Sequence, residues 1–462
     1  MRKFFLVVLA LLCLFSFQID TVTVVYANES PTRGYGKLPE SKLFRKAENY
    51  INLQQLIDDT PAYGELVLEE GDYTGPVSIT KPIQLIGQGA ATTIHIEEED
   101  ATITLAADSI TLKNIAIEDK RENPQAPVIV SKQQREITLE SLQLMTMATA
   151  VEWTELKDSK LVGNAIAWIG KSSAKRSSRG NGIHLYYCSD MALLENKISG
   201  MYDGIYTESS ERLLIQNNEV KDSRYAFHMM YAKQVELLDN TSEHNIIGLM
   251  IMTSDDIKLH GNTLMKHQDN ANAGGILIYD VVNAEVSNND VIQNRIGINV
   301  ERSESIQVHH NRLMHNFVAL QLQKGEQLLL ENNDFIGNVT NLWDDGSSEP
   351  LIQHNYWDTL QGLDSDGDGY SDLSYASAPF FLSLIERRPS FQLLFGTPGI
   401  AFIEQLYAAQ RELWISDQSP SMTMNLMESY EGKHIRWGML LVWTLLGLAS
   451  AYMMIRLRRR EQ

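Results

Sequence analysis

The stretches "AFHMMYA" (226–232) and "GLMIMTS" (248–254) stand 22 residues apart and fill the same slots of a repeat. Coils of 22 residues begin at Gly182, Gly204, Ala226, Gly248, Gly275, Gly297, Ala319 and Asn341, and only the step from Gly248 to Gly275 is longer, by the five residues "DNANA" (269–273). Fourteen residues after each start comes an asparagine: Asn196, Asn218, Asn240, Asn262, Asn289, Asn311, Asn333 and Asn355. Ala150 and Asn164 extend the pattern one coil earlier, ahead of an insertion at "KSSAKRSSRG" (171–180). A repeat of this length, with short β-branched runs and a recurrent corner asparagine, predicts an all-β, right-handed parallel β-helix with an Asn ladder. A leucine-rich horseshoe would need a different Leu spacing and usually a helix in each repeat.

Alternation assigns the faces. The first and third positions after each start are almost wholly apolar, as in Ile205/Thr207, Phe227/Met229, Leu249/Ile251 and Ile276/Ile278. They read as core. The second and fourth positions then face outward: His184/Tyr186, Tyr206/Glu208, His228/Met230 and Met250/Met252. His228, Met230, Met250 and Met252 are therefore predicted to share one outer face on adjacent coils. Imidazole with thioethers is a donor set that selects Cu(I), whereas zinc or calcium sites draw on Cys, Asp or Glu. The same pattern also reads as an apolar docking surface without metal. The histidines His244, His260, His267, His309, His310 and His315 fall on turns and outer slots and read as polar surface. Many β-helices act on polysaccharides, but such enzymes need clustered carboxylates. Here Glu208 and Glu301 lie several coils apart on this face.

The formal net charge of −20 argues against nucleic-acid binding. Residues 1–27 read as a signal peptide, with Arg2 and Lys3 ahead of an apolar run and a small-residue cleavage site at Ala27. Its removal takes Cys13 and leaves Cys188 alone, so no internal disulfide is expected. Residues 28–60 read as an N-terminal cap region and 61–358 as the β-helix. Residues 359–434 read as an acidic loop followed by a docking segment, amphipathic through Ile400, Ile403, Leu406 and Tyr407. A transmembrane helix is expected over 435–456, with a basic cytoplasmic tail at 457–462 and the β-helix on the extracytoplasmic side. Within "DSDGDGYSD" (364–372), Asp364, Asp366, Asp368 and Asp372 take positions 1, 3, 5 and 9 of a calcium loop, with Gly369 at position 6. Tyr375 stands at position 12 where a bidentate glutamate would be, so the loop reads either as a calcium site or as a solvated acidic turn.

These residues, together with "LQQLIDDTPAYGELVLEEGDYTGPVSITKPIQLIGQG" (53–89), "DGIY" (203–206), the "NYWD…DSDGDGYSD" stretch and "LLFGTPGIAFIEQLYAAQ…DQSPSM" (393–422), resemble the NosD family over essentially the whole secreted chain. The resemblance implies a β-helical, non-enzymatic maturation protein of nitrous oxide reductase. Its partners would be an ABC permease with its ATPase, a copper chaperone lipoprotein and the apo reductase. It implies a transient copper, as Cu(I), and matches the family's His-x-Met to His228 and Met230, its next-coil Met to Met252, and its Gly-Ile-His to Gly182, Ile183 and His184. Met250 departs from the family, where a small residue is usual, and adds a further candidate ligand. His184 is a second-choice ligand on the same face.

Overall fold

The computed structural model describes residues 50–100, 102–122, 124–170, 175–376 and 415–426. The expected signal peptide, the amphipathic segment around Ile400 and the expected transmembrane span all lie outside these residues. Among the described residues, no helix is long and apolar enough to cross a membrane.

The chain winds into a parallel β-solenoid. A complete coil carries three strands, as in Asp203–Glu208, Glu211–Gln216 and Glu219–Lys221. Each pairs in parallel with its equivalents in the coils before and after. Strands of the first kind stack into a twelve-stranded sheet, here called the first face; the other two kinds form a twenty-five-stranded sheet around the rest of the coil. A coil cannot bury its apolar side alone, so neighbours supply both its backbone partners and its core. Phe227, Met229, Leu249 and Ile251 are fully buried, as the alternation predicts. At Gly204 the coil start has no room for a side chain, because a Cβ there would meet Val220 at 2.4 Å and the Ala226 carbonyl at 2.6 Å.

The asparagine ladder runs through the stack. Asn218 Nδ2 donates to Asn240 Oδ1 at 3.0 Å, and the same oxygen accepts the Asn218 backbone N–H at 2.9 Å. The second amide hydrogen goes to the Leu193 carbonyl at 2.8 Å. This pattern repeats from Asn164 to Asn333 with every rung buried. Each bond contributes about 1 kcal/mol net, but an unmatched rung would leave buried polar groups unpaired at greater cost. The residue before each rung turns the corner with positive φ, as at Asn217, Asp239, Gly261, Asn288 and His310. Asn, Asp and Gly tolerate that region best.

Both ends of the stack are covered. The helix Leu53–Asp59, capped by the Asn52 side chain, buries Leu53 and Ile57 against the first turns. At the other end, Asp417 Oδ2 accepts from the Asn355 backbone N–H, the Asn355 amide and Trp357 Nε1, at 3.0, 3.0 and 3.1 Å. Asp417 therefore ends the ladder with an acceptor. Trp357 stacks between Phe335 and Tyr375.

A second ladder, not read from the sequence, lies five residues after the first. Its rungs Asn245, His267, Asn294 and Asn316 pass a side-chain acceptor to the backbone N–H of the previous coil. His267 takes an asparagine's place: its Nδ1 accepts the Asn245 N–H at 3.0 Å, and Ser242 Oγ sits 3.1 Å from Nε2. His267 is therefore interior structure rather than polar surface. Complete burial pushes its imidazole down to about 4. A histidine held neutral in this way stabilises the fold above its unfolded pKa of about 6.5 and loses that contribution as pH falls toward the folded value. Acidification from pH 7 to 5 should therefore cost on the order of 2 kcal/mol through this one group. His267→Asn should restore the common rung and reduce the fall in thermal midpoint between pH 7 and pH 5, measured by circular dichroism.

Candidate metal centre

The register places the four candidate ligands in a two-by-two block on the first face. His228 pairs with Met250 and Met230 with Met252 on the adjacent strands Tyr225–Met230 and Ile247–Met252. Neighbouring coils are about 4.8 Å apart, and alternate residues of one strand about 6.5–7 Å apart. The three methionines are half-buried. His228 is not open surface, as its outward slot would suggest: it is 6% exposed. Tyr206 of the preceding coil lies 4.8 Å from its ring, and Tyr225 meets it edge-on at 5.1 Å.

Asp203 orients the imidazole. His228 Nδ1 lies 2.9 Å from Asp203 Oδ2. Asp203 also accepts from Arg224 through Nε at 2.8 Å and Nη2 at 2.6 Å. Burial works against the Asp203 charge, but the hydrogen bonds from Arg224 and His228 outweigh it and hold the carboxyl below its ordinary range. Arg224 is itself held between Tyr202 and Tyr225, 3.9 and 4.2 Å from the ring centres. An ionised carboxylate only accepts, so Nδ1 carries the hydrogen and neutral His228 presents the lone pair of Nε2. That Nε2 is buried and has no hydrogen-bond partner. A carboxylate on one ring nitrogen, with the other bare, is the usual outer-shell support of a metal-binding histidine. Tyr206 Oη donates its one hydrogen to Glu208 at 2.7 Å and lies 3.6 Å from Met230 Sδ, in contact with one thioether of the block.

His184 stands two coils away on the same row, separated from the block by Tyr206. Its ring stacks on Tyr206 at 4.7 Å, and its Nδ1 faces Glu152 at 3.6 Å. The structure thus brings His228, Met230, Met250 and Met252 together and leaves His184 outside the block. Cys188 is no ligand: it is buried, donates to the Trp153 carbonyl at 3.4 Å, and burial pushes its thiol up to about 11.

In the acidic loop, oxygens of Asp364, Asp366 and Asp368 lie within 4.8 Å of one another. Asp372 is turned away from this cluster, with its Oδ2 accepting from the Ser365 backbone and hydroxyl. Asp364 also accepts from Gly367 and Gly369, the bonds of a tight turn.

Residues 157–365 match the NosD family, described as "Periplasmic copper-binding protein (NosD)". Two relatives carry the name "Probable ABC transporter binding protein NosD". The Pseudomonas aeruginosa protein is 25% identical over 79% of this chain and 90% of its own length. The Stutzerimonas stutzeri protein is 23% identical over 77% of this chain and 86% of its own. A crystal structure of a double mutant of the periplasmic alginate epimerase AlgG superposes with a TM-score of 0.51 at 16% identity, covering 65% of this chain and 82% of the epimerase. That likeness is one of fold.

The Asp203 contact makes the tautomer of His228 a measurable property. In ¹⁵N-resolved NMR of the neutral imidazole, Nδ1 should show the protonated shift and Nε2 the bare one. Asp203→Asn should release the preference, because a neutral amide can donate as well as accept.

Proposed function

This chain is a member of the NosD family, and we propose that it is an extracytoplasmic copper-handling accessory of an ABC transporter, serving the assembly of nitrous oxide reductase. The cargo is Cu(I), held transiently by His228, Met230 and Met252, with Met250 as an optional fourth ligand. The observation that carries this reading is the buried Nε2 of His228, without a hydrogen-bond partner, on a ring held by Asp203 and sharing a two-by-two register block with Met230, Met250 and Met252. The family description, copper binding, and the name of its two relatives, an ABC transporter binding protein, support it.

The residues present do three things. Asp203 and Arg224 hold the imidazole so that no tautomer change is needed when copper arrives. Tyr206, Tyr225 and the half-buried methionines keep water away from a soft ion. The donor set is neutral and without thiolate, so the ion is bound without being trapped. That suits receipt from a chaperone lipoprotein and release to the apo reductase, with a permease and its ATPase as the transporter partners. A membrane anchor at 435–456 would keep the solenoid beside the permease. A structural calcium at Asp364, Asp366 and Asp368 belongs to the same proposal, since three converging carboxylates repel one another without a cation. The chain itself is read as no enzyme. The rival reading is a metal-free docking scaffold, favoured by Tyr187 and Tyr231, which stand about half exposed at the edge of the first face.

Replacement of His228, Met230 and Met252 by alanine, with the fold intact, should abolish Cu(I) binding in a competition assay with a chromogenic chelator. The reductase made in such cells should then lack copper. Full copper loading of the reductase would reject the ligand role and favour the scaffold.

A further inference from the structure

Away from the first face, the sequence "VHHN" (308–311) sets two histidines side by side. Successive residues of a strand normally point to opposite sides. Here the strand Glu304–His309 ends as the corner turns, and His310 has φ of +52°. The turn cancels the alternation, so both imidazoles stand outside the core, with ring planes at 89° and Nδ1 atoms 3.0 Å apart. The same corner in neighbouring coils carries Ser287/Asn288 and Glu331/Asn332, so a histidine pair is particular to this coil.

The surroundings orient the pair. His309 Nε2 faces Glu285 Oε1 at 3.4 Å. The same Glu285 oxygen accepts from the buried Ser287 hydroxyl at 2.8 Å, which fixes the carboxylate. The Glu285 charge beside Nε2 favours the hydrogen of His309 on that nitrogen, which leaves a bare Nδ1 toward its neighbour. One hydrogen, on His310 Nδ1, then bridges the two nitrogens in the metal-free state. A metal ion can replace that hydrogen if His310 moves its proton to Nε2.

The spacing fits such an exchange. With metal–nitrogen bonds of 2.0–2.1 Å, nitrogens 3.0 Å apart subtend about 94° at the ion, close to the right angle of a cis pair in tetragonal Cu(II). Asp and Glu side chains alone would suit harder ions, whereas two imidazoles suit a borderline one. Glu331, the register partner of His309 in the next coil, accepts from Gln353 Nε2 at 3.0 Å, so the two imidazoles alone supply the protein's donors here. We propose that His309 and His310 form a chelating site for a divalent transition ion of tetragonal preference, Cu(II) in the first instance, with Glu285 as the positioning carboxylate. This site lies on the twenty-five-stranded sheet, rests on imidazole geometry alone and is independent of the Cu(I) reading at His228.

The test is titration of copper(II) sulfate into the purified full-length protein, read by electron paramagnetic resonance. The wild type and His228→Gln should both give a tetragonal Cu(II) signal with superhyperfine splitting from two nitrogens. The paired change His309→Gln with His310→Gln should lose that splitting and at least tenfold in affinity, with an unchanged thermal midpoint as the check on folding. If the paired change unfolds the protein, His310→Gln alone serves: it should leave a one-nitrogen pattern. Glu285→Gln should keep the two-nitrogen pattern while weakening binding about ten- to a hundredfold. A two-nitrogen signal that survives loss of either histidine, or its absence from the wild type, would overturn the site. Because the readout is Cu(II) with nitrogen, failure here leaves the sulfur-based Cu(I) reading untouched, and the reverse also holds.

Discussion

Every coil of this protein must satisfy a buried corner, and the asparagine amide does so in both directions. It accepts the backbone N–H and an amide hydrogen of the rung before it and donates to the amide oxygen of the rung after it, while its second hydrogen closes a carbonyl of the coil before. The ladder fixes the stagger of successive coils, and from that fixed stagger the outer rows follow. His228 stands beside Met250 and Met230 beside Met252 because Asn240 stands beside Asn262. A slip of one residue would exchange core and surface on the whole strand. The five-residue insertion at 269–273 is absorbed at a corner, so the ladder continues unbroken from Asn262 to Asn289.

The metal centre combines rigid and yielding parts. The imidazole is held by the buried Asp203, where burial opposes the carboxylate charge and Arg224 and His228 together more than offset it. The thioethers are unbranched, polarisable and half-buried, able to follow an ion without breaking structure. Such a division suits a carrier. On the proposed reading, the fixed group would define where copper arrives, and the flexible groups would let it leave toward a partner's ligands.

Much of this was legible in the sequence, and the misses have physical reasons. The period, the Asn slot and the alternation gave the core, the first face and the block of His228, Met230, Met250 and Met252. The fold agrees because all three signals are properties of single coils. Asp203 was not legible. The chain places two consecutive residues inward at the coil start, Gly204 and Ile205, so the residue before them returns to the outer face, out of step with simple alternation. The burial of His228 was hidden too, since alternation gives a residue's face and not how far its neighbours cover it: Tyr206 in the same slot one coil earlier and Tyr225 ahead of the coil start close over the ring. The second ladder had a signal in the recurrent Asn at 245, 294, 316 and 338, but His267 breaks the run and was read as surface. Asp417 closes the first ladder from 62 residues beyond Asn355, a long-range contact that no repeat could announce.

The central claim is that one imidazole and at least two thioethers of the first face hold Cu(I). X-ray absorption at the copper edge, on the full-length protein loaded with one equivalent of Cu(I) under reducing conditions, addresses it directly. The account predicts a three- or four-coordinate Cu(I) with two or three sulfur neighbours at about 2.3 Å and a single nitrogen at about 2.0 Å. The sulfur shell should disappear in the triple variant lacking His228, Met230 and Met252. A first shell of nitrogen and oxygen alone, or copper that washes off the wild type as readily as off the variant, would contradict it.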